Sequence, residues 1–370
     1  SSVAEYRIIY HFIKKKEKQN KMVRICRNYQ VRAETKKQAA AIYKLLQKCE
    51  RVQKFKFNLK GYVADRIVGI DAANSELFCR PEVFVQAFER LSSFHIGLTY
   101  HVGEDFYDIA DGLRAIDEAI HFLNLKRGDR LGHCLALGIQ PLCYYSEHDY
   151  HLTIPYQVLV DDMVWLKMKS MEWNIVIPPR IEKQIIDVFN SASLGQSMSD
   201  YYVAMGMRKR NPYEIGDKSN SYKIYNGYHY DLDLRKRGET VEDFKIYPEY
   251  ISFIEAVQHK MVEYIESQQL VIECCPSSNV KIGRLKRFEQ HPIFAFCCVK
   301  NEGNHNLPVT VNTDDLGIFY TSLPREFELL SLALLKKRNE DGSTLYNSQE
   351  VYDWIERIVK NAHVYRFGNN

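Results

Sequence analysis

With 370 residues, the chain is long enough for one large barrel or two ordinary domains, because single hydrophobic cores stop growing at about 250 to 300 residues. Hydrophobic residues make up 45% and charged residues 26% of the sequence, which is the usual balance of a globular protein. No uncharged apolar run approaches the ~18 residues that span a bilayer. We therefore predict a soluble protein without a membrane partner.

The nine cysteines are odd in number, form no CxxC pair and include two adjacent doublets in apolar segments, Cys274-Cys275 and Cys297-Cys298. This pattern is typical of buried thiols rather than of a disulfide framework. A reducing, cytoplasmic compartment is expected. The first residues lack a basic region followed by an apolar stretch and a cleavage site, so no signal peptide is expected.

Positive charge is concentrated at the start of the sequence, where residues 1–60 hold 17 Lys or Arg against four Glu. Such a surface could attract the phosphates of nucleotides or of nucleic acid. It could equally be the solvated face of a helix, because residues 34–48 carry an apolar stripe at helical spacing. The sequence leaves both interpretations open.

Short apolar, β-branched runs recur along the chain and end in polar or ionisable residues. The runs are YRIIYHFI (6–13), RIVGIDAANSE (66–76), HIGLTYHVGED (95–105), RLGHCLAL (130–137), LVIECCPSSN (270–279) and LPVTVNTDD (307–315). Runs that are apolar on both faces are typical of buried parallel strands. Helical patterns at 81–91 and 108–123 separate three of them, so the order predicts a parallel α/β fold.

The placement of polar residues favours a (β/α)₈ TIM-type barrel over an open doubly wound sheet. Each candidate catalytic residue follows a different strand, as in such barrels, and no GxGxxG or GxxxxGK[ST] loop is present. The strand-helix alternation is lost from 138 to 269, which predicts an insertion between barrel strands 6 and 7. Before residue 66 we find one strand where a closed barrel has three, so the N-terminal strands are expected to be missing from this sequence.

These features divide the chain into four parts. They are a basic front segment with one strand and a helix (1–65), strands 4–6 with their helices (66–137), the insertion (138–269), and strands 7–8 with C-terminal helices (270–370). The insertion could serve subunit contact, substrate gating or nucleic-acid binding, since tyrosines near Arg208, Lys209 and Arg210 could stack on bases. It could also be a structural elaboration whose tyrosines pack on its own helices.

Ionisable residues at three strand ends form a candidate catalytic site. His101 ends one strand and Glu104 follows three residues later, while His133 and the pair Asp314-Asp315 end two others. A His and an Asp from separate strands can share a divalent ion such as Zn²⁺, which lowers the pKa of a bound water to about 7. Glu104 and His133 could then move protons to the ring under attack and to or from the water. The predicted chemistry is metal-assisted hydrolysis.

Four motifs, HVGE, LGH, ECCPSSN and NTDD, resemble in the same order the HxGE, GH, CPxSN and NTDD signatures of the adenosine deaminase family, within the amidohydrolase barrels. The resemblance covers roughly 66–140 and 270–360. It implies zinc-dependent conversion of an adenine nucleoside or nucleotide to its inosine counterpart with release of ammonia.

The resemblance also implies a role for each matching residue. His101 and Asp314 would be ligands of one Zn²⁺ per site. Glu104 would protonate N1 of the purine, and His133 would position the hydroxide. Asp315 would hydrogen-bond the base or the water, as both a catalytic and a substrate-binding residue.

The sequence departs from the family pattern at three places. Asn74 stands where many members have a glycine that contacts the base, so Asn74 is the matching substrate-binding position, and Leu316 replaces a proline after NTDD. The His-x-His that ends the family's first strand and supplies two further metal ligands is absent from these 370 residues. Either the first two strands are missing here or the site is dead. The first explanation is favoured, and this stretch alone is expected to be inactive.

The long insertion, the basic front segment and the YRIIYHFIKKK strand bear a looser resemblance to the large prokaryotic branch that includes the deaminase subunit of the RADAR anti-phage system. That resemblance implies a homo-oligomer, an ATPase partner, an adenine nucleotide such as ATP as substrate, and a role in anti-phage defence. Two alternatives are a non-catalytic scaffold and a component that binds or edits RNA.

Overall fold

The computed structural model describes residues 6–17, 25–54, 63–192, 195–214, 216–283, 285–300 and 306–368, without the side chains of 50–54. The strands are β1 (Ile8–Ile13), β2 (Ile67–Ala73), β3 (Gly97–Val102), β4 (Arg130–His133), β5 (His151–Pro155), β6 (Val241–Lys245), β7 (Val271–Cys274) and β8 (Val309–Val311). The helices are α1 (Tyr29–Lys54), α2 (Val85–Ser92), α3 (Ile109–Phe122), α4 (Pro141–Glu147), α5 (Tyr156–Glu172), α6 (Pro179–Ser191), α7 (Met198–Met207), α8 (Asn220–Tyr230), α9 (Leu232–Gly238), α10 (Pro248–Ser267), α11 (Pro276–Lys281), α12 (Ile293–Phe296), α13 (Leu316–Phe319), α14 (Leu323–Lys336) and α15 (Ser348–Val364). Short 3₁₀ segments lie at Val63–Arg66, Pro81–Val83, Leu135–Leu137 and Phe288–Gln290.

Six parallel strands form the main sheet in the order β1-β2-β3-β4-β7-β8, and β5 pairs with β6 in a separate antiparallel ribbon. Each strand of the main sheet therefore pairs with the next parallel strand along the chain. This sequential order is that of a barrel, whereas the strand order of a doubly wound sheet reverses. The six strands lie on the six runs expected from the sequence. The α/β class is confirmed, and the arrangement is consistent with part of a (β/α)₈ barrel.

Helices lie where the apolar patterns place them. The pattern at 81–91 forms a 3₁₀ turn followed by α2, and the pattern at 108–123 forms α3. The stripe of α1 is partly a packing face, since Ile42 and Leu46 are buried while Leu45 is 49% exposed. Helix α1 thus packs on α2 with one face, and lysines of its other face are exposed. Phosphate binding by this basic segment stays a prediction.

The cysteines are free thiols, seven of them buried, as the doublets suggested. Burial raises the pKa of Cys274 and Cys275 well above the usual thiol range, so both stay protonated at neutral pH. Within the part of the chain that the structure describes, no helix is long and apolar enough to cross a membrane.

The segment between β4 and β7 carries α4 to α10 and the β5–β6 ribbon. Its last helix, α10, packs on α3 and leads directly into β7, which is the position of a barrel crossover helix. The earlier helices form an addition that docks on α3 through α5. The division of the chain into domains stays a prediction.

Buried ion pairs hold this addition together and fasten it to α3. Arg208 donates to both carboxylate oxygens of Asp161 at 2.6 and 2.8 Å, and its guanidinium lies 3.8 Å from the ring centroid of Tyr228. Arg114 on α3 donates to Asp162 on α5 at 2.7 Å. Arg208 is only 4% exposed, so its guanidinium is committed to the interior and is not available to stack on a nucleic-acid base. Contact between the tyrosines of this segment and nucleic acid stays a prediction.

We expect Asp161→Asn to lower the free energy of unfolding by about 3–5 kcal/mol, because the Arg208 guanidinium would stay buried without its counter-charge. Urea denaturation at pH 7 measures the change. Lys236→Gln is the matched control, since Lys236 and Asp233 form an exposed pair at 3.9 Å that contributes little to stability. Equal stabilities for the two variants would contradict the role of the buried pair.

The same variant gives a prediction on pH. Burial raises the pKa of Asp161, but the Arg208 guanidinium outweighs burial and holds that pKa well below its usual range. A carboxyl of this kind stabilises the fold above its unfolded-state pKa, about 3.9, and loses that effect as the pH falls. The stability difference between wild type and Asp161→Asn should therefore be constant from about pH 7 to pH 5 and shrink below about pH 4. A difference that grows on acidification would refute this assignment.

Candidate active site

The carboxyl ends of the parallel strands bring the predicted residues to one edge of the sheet. The register pairs His101 with Gly132 and Val102 with His133, so the two imidazoles lie on neighbouring strands. Their ring centroids are 4.8 Å apart. Asp314 follows β8 by three residues and reaches the same place, since its carboxylate lies close to His133.

Two of these residues have strained backbones. His133 has φ of 65° and Asp314 has φ of 54°, both in the left-handed region that side chains other than glycine rarely adopt. Such conformations cost roughly 1–3 kcal/mol each and persist where the surrounding structure holds them. Strain at the two strand ends is typical of a functional site.

Asp71, at the carboxyl end of β2, orients His101. The Asp71 Oδ2 atom lies 2.7 Å from Nδ1 of His101. Burial lowers the pKa of His101, but the Asp71 carboxylate more than offsets burial and raises that pKa to about 9. With Nδ1 against the carboxylate, Nε2 is the nitrogen left to face a ligand, which is the usual carboxylate–histidine arrangement behind a metal-binding imidazole.

The loop that carries Glu104 is held by a second carboxylate. Glu76 accepts backbone N–H groups from Gly103 and Glu104 at 2.7 Å and from Asp105 at 3.1 Å. Burial raises the pKa of Glu76, against the opposing effect of Lys14 and of these three amides. The loop after β3 is thereby fixed to the loop after β2.

Lys14 lies beneath both carboxylates and is fully buried. Its Nζ donates to the carbonyl oxygen of His101 at 2.5 Å and lies 4.4 Å from the ring centroid of Tyr100. Burial lowers the pKa of Lys14, whereas Glu76 and Asp71 favour its charged form. Lys14 is thus a buried amine whose protonated form burial opposes and these two carboxylates favour.

Asn279 connects the two predicted proton-transfer residues. Its Nδ2 donates to Glu104 Oε1 at 2.8 Å and lies 2.9 Å from His133 Nδ1. Its Oδ1 lies 3.1 Å from Nε2 of His291. Burial lowers the pKa of His133, so this imidazole is neutral at pH 7. The four side chains form one buried polar cluster.

Donor atoms of His133, Cys275 and Asp314 all lie within 4.8 Å of one another, which makes them a possible metal-holding group among the described residues. His101, one of the two predicted ligands, is not in that group of three. Ser278 donates its hydroxyl proton to Asp314 Oδ2 at 2.7 Å. An imidazole, a thiolate and a carboxylate are donors that Zn²⁺ accepts.

The two predicted substrate-binding residues differ in their surroundings. Asp315 is exposed and precedes α13, but its side chain makes no capping hydrogen bond. Asn74 has φ of 84°, and its side chain accepts from the Ser75 amide and donates to the Lys14 carbonyl. This left-handed backbone explains why asparagine can replace the family's glycine, since asparagine tolerates such a conformation. Substrate contacts by either residue stay predictions.

Sequence reasoning missed Asp71, Glu76, Lys14, Asn279 and His291. The first two lie inside the RIVGIDAANSE run, where the rule that polar residues at strand ends meet at one edge could have singled them out. Lys14 belongs to a KKK run that gives no sign of its burial. Asn279 lies within the quoted ECCPSSN motif, but its partners come from distant parts of the chain.

Fold and site together define an α/β protein that gathers imidazole and carboxylate groups at the carboxyl edge of a parallel sheet. Residues 239–340 match the sequence model of the family described as adenosine deaminase. Curated relatives include an adenosine deaminase of Plasmodium gallinaceum, 34% identical over 74 residues, and an adenine deaminase of Mesorhizobium japonicum, 35% identical over 69 residues. These alignments span 20% and 19% of this chain and only 19% of each relative.

Among solved structures, the crystal structure of an adenine deaminase from Arthrobacter aurescens aligns with 86% of this chain and 57% of that chain, with a TM-score of 0.30 and 12% identity. A likeness this low carries no argument. The sequence matches and the four motifs agree in their direction: residues 239–340, less than a third of the chain, are similar to the adenosine deaminase family.

The hydrogen bonds between Glu76 and the loop that carries Glu104 lead to a testable prediction. In Glu76→Gln, one acceptor oxygen becomes an NH₂ group facing backbone donors, so the free energy of unfolding should fall by about 1–3 kcal/mol. Amide hydrogen exchange at residues 103–105 should also accelerate. Glu89→Gln, on the exposed side of α2, is the control and should change neither quantity. Unchanged exchange in Glu76→Gln would show that the carboxylate does not hold the loop.

Proposed function

We propose that this chain carries the proton-transfer part of an active site that hydrolytically deaminates an adenine nucleoside or nucleotide. The observation that carries the proposal is the buried cluster in which Asn279 joins Glu104 to His133 beside Asp314. The family matches support the same reaction class, since the relatives are named for deaminating adenosine or adenine.

The donor chemistry of the site suits a divalent metal, and we propose one Zn²⁺. The orientation of His101 by Asp71 is that of a metal-binding imidazole with its supporting carboxylate, and Asp314 offers a carboxylate nearby. His101 and Asp314 would hold the ion, and when bound it would supply Lewis-acid activation of a water. Catalytic zinc has at least three protein ligands, so we propose that further ligands come from polypeptide lying at the open sheet edge between β8 and β1.

Residues of this chain would carry out the proton transfers. Glu104 would deliver a proton to N1 of the purine while His133 orients the attacking water, and Asp315 would hydrogen-bond the base or the water. Water would add at C6 and the C6–N bond would break. The amino group would leave as ammonia after gaining one proton from the water, and the second water proton would return to Glu104. The product is the inosine counterpart of the substrate. Asn279 keeps Glu104 and His133 at a fixed distance from one another throughout.

The more specific parts of the proposal rest only on the looser resemblance to the large prokaryotic branch of the family. ATP as substrate, a homo-oligomeric state, an ATPase partner, a cytoplasmic location and a role in anti-phage defence are therefore further parts of the proposal. A scaffold or an RNA-binding component is the alternative.

The experiment compares wild type with Glu104→Gln, both expressed from the complete gene, by ammonia release from adenosine, AMP and ATP. Glutamine keeps an oxygen that can accept from Asn279 but cannot deliver a proton, so kcat should fall on the order of 10²- to 10⁴-fold with the fold intact. Glu147→Gln, on the surface of α4, is the control and should retain wild-type turnover.

Wild-type protein that releases no ammonia from any of the three substrates would refute the proposal. Equal turnover by Glu104→Gln and wild type would remove Glu104 from the proton-transfer role.

A further inference from the structure

The buried amide of Asn279 joins side chains whose protons can be placed one by one. We infer that His291 is a positioning residue that acts through Asn279 to fix the proton of His133 on Nε2. The expected effect of His291 on turnover rests on the proposed function. The positions of the protons on His291 and His133 do not.

A backbone amide determines which nitrogen of His291 carries the proton. The N–H of Ile293 donates to Nδ1 of His291 at 3.0 Å, and a backbone nitrogen can only donate. Nδ1 of His291 therefore carries no proton. Burial lowers the pKa of His291 to about 3, so the ring is neutral at pH 7 and its single proton sits on Nε2.

The His291 proton sets the orientation of Asn279. The Nε2–H group of His291 donates to an Asn279 atom 3.1 Å away. Because that atom must accept a hydrogen bond, it is the carbonyl oxygen Oδ1. The NH₂ group then faces the opposite side, towards Glu104 and His133. The contact with Glu104 fits the same orientation, because its Oε1 lies 2.8 Å from Nδ2, where an oxygen can accept an N–H. Two independent groups thus agree on one orientation of the amide.

The amide in turn sets the tautomer of His133. One Asn279 N–H donates to Glu104, and the other points at Nδ1 of His133 at 2.9 Å. Nδ1 must accept, so the neutral His133 ring carries its proton on Nε2. In the opposite tautomer two N–H groups would face each other at 2.9 Å, and the other acceptor near Nδ1, Glu104 Oε1, lies farther away at 3.4 Å.

This tautomer decides between two roles for His133. A metal-ligating imidazole binds through an unprotonated nitrogen, and here Nδ1 is occupied by Asn279 while Nε2 holds the proton. His133 therefore serves as a hydrogen-bond donor to an oxygen and not as a metal ligand, although its donor atoms lie within 4.8 Å of Cys275 and Asp314.

His291 matters most when Glu104 changes its protonation. A protonated Glu104 can donate as well as accept, so it no longer determines which way the amide of Asn279 points. His291 still does, because its tautomer depends on a backbone N–H and its ring is only 2% exposed. The orientation of Asn279 and the tautomer of His133 thus survive the proton transfer.

Histidine nitrogen NMR on the ¹⁵N-histidine-labelled protein tests the proton placement without any turnover. The inference expects His133 and His291 both to show protonated Nε2 and unprotonated Nδ1 at pH 7. His291→Gln, which keeps an N–H donor where Nε2 lies, should preserve the His133 pattern. His291→Met removes the donor and should give a mixture of His133 tautomers. Asn279→Asp, which puts an acceptor against Nδ1, should move the His133 proton to Nδ1.

A wild-type His133 protonated on Nδ1 would overturn the inference, as would a His133 pattern unchanged in both His291→Met and Asn279→Asp. If His291→Met does not fold, Asn279→Asp and His291→Gln still decide the matter.

Turnover gives the second readout. His291→Met should lower kcat by roughly 10- to 100-fold with KM little changed, and His291→Gln should restore most of the loss. Equal kcat in all three proteins would refute the positioning role in catalysis. Wild-type protein with the expected tautomers but no turnover would instead overturn the proposed function and leave the proton placement intact.

Discussion

The arrangement of the site depends on one buried side-chain amide. Asn279 has one acceptor oxygen and two N–H donors, and each meets a partner from a different part of the chain: His291, Glu104 and His133. Because every member is buried or partly buried, a reversed donor would leave unsatisfied groups in a medium of low dielectric. A network of this kind has one low-energy arrangement of protons. That single arrangement is what allows neighbouring ionisable residues to hold different roles.

The parallel sheet makes this meeting possible. Glu104 follows β3, His133 ends β4 and Asn279 lies on α11 just after β7, so all three reach the same edge. Carboxylates behind that edge hold the parts in place, since Asp71 orients His101 and Glu76 binds three amides of the Glu104 loop. The added helices are attached to α3 through α5, where Arg114 of α3 donates to Asp162 of α5.

Sequence patterns predicted the strands well because buried parallel strands are apolar on both faces and end in polar residues. The same patterns found His101, Glu104 and His133, each at or just after a strand end. They did not find His291, whose role depends on a hydrogen bond from Ile293 two residues later and on a partner twelve residues earlier. They could not separate the buried Arg208 from its basic neighbours either, since burial against Asp161 is a property of the tertiary fold. Local periodicity predicts elements, whereas partners from distant segments decide charge and proton placement.

In the proposed site His101 and Asp314 hold the metal and His133 holds a proton, and the zinc content of purified protein tests that division most directly. Wild type, His101→Gln and His133→Gln, expressed from the complete gene, would be compared by mass spectrometry for bound zinc per chain. We expect one zinc ion per chain in wild type and in His133→Gln, and loss of zinc in His101→Gln. Loss of zinc in His133→Gln with retention in His101→Gln, or no zinc in wild type, would contradict it.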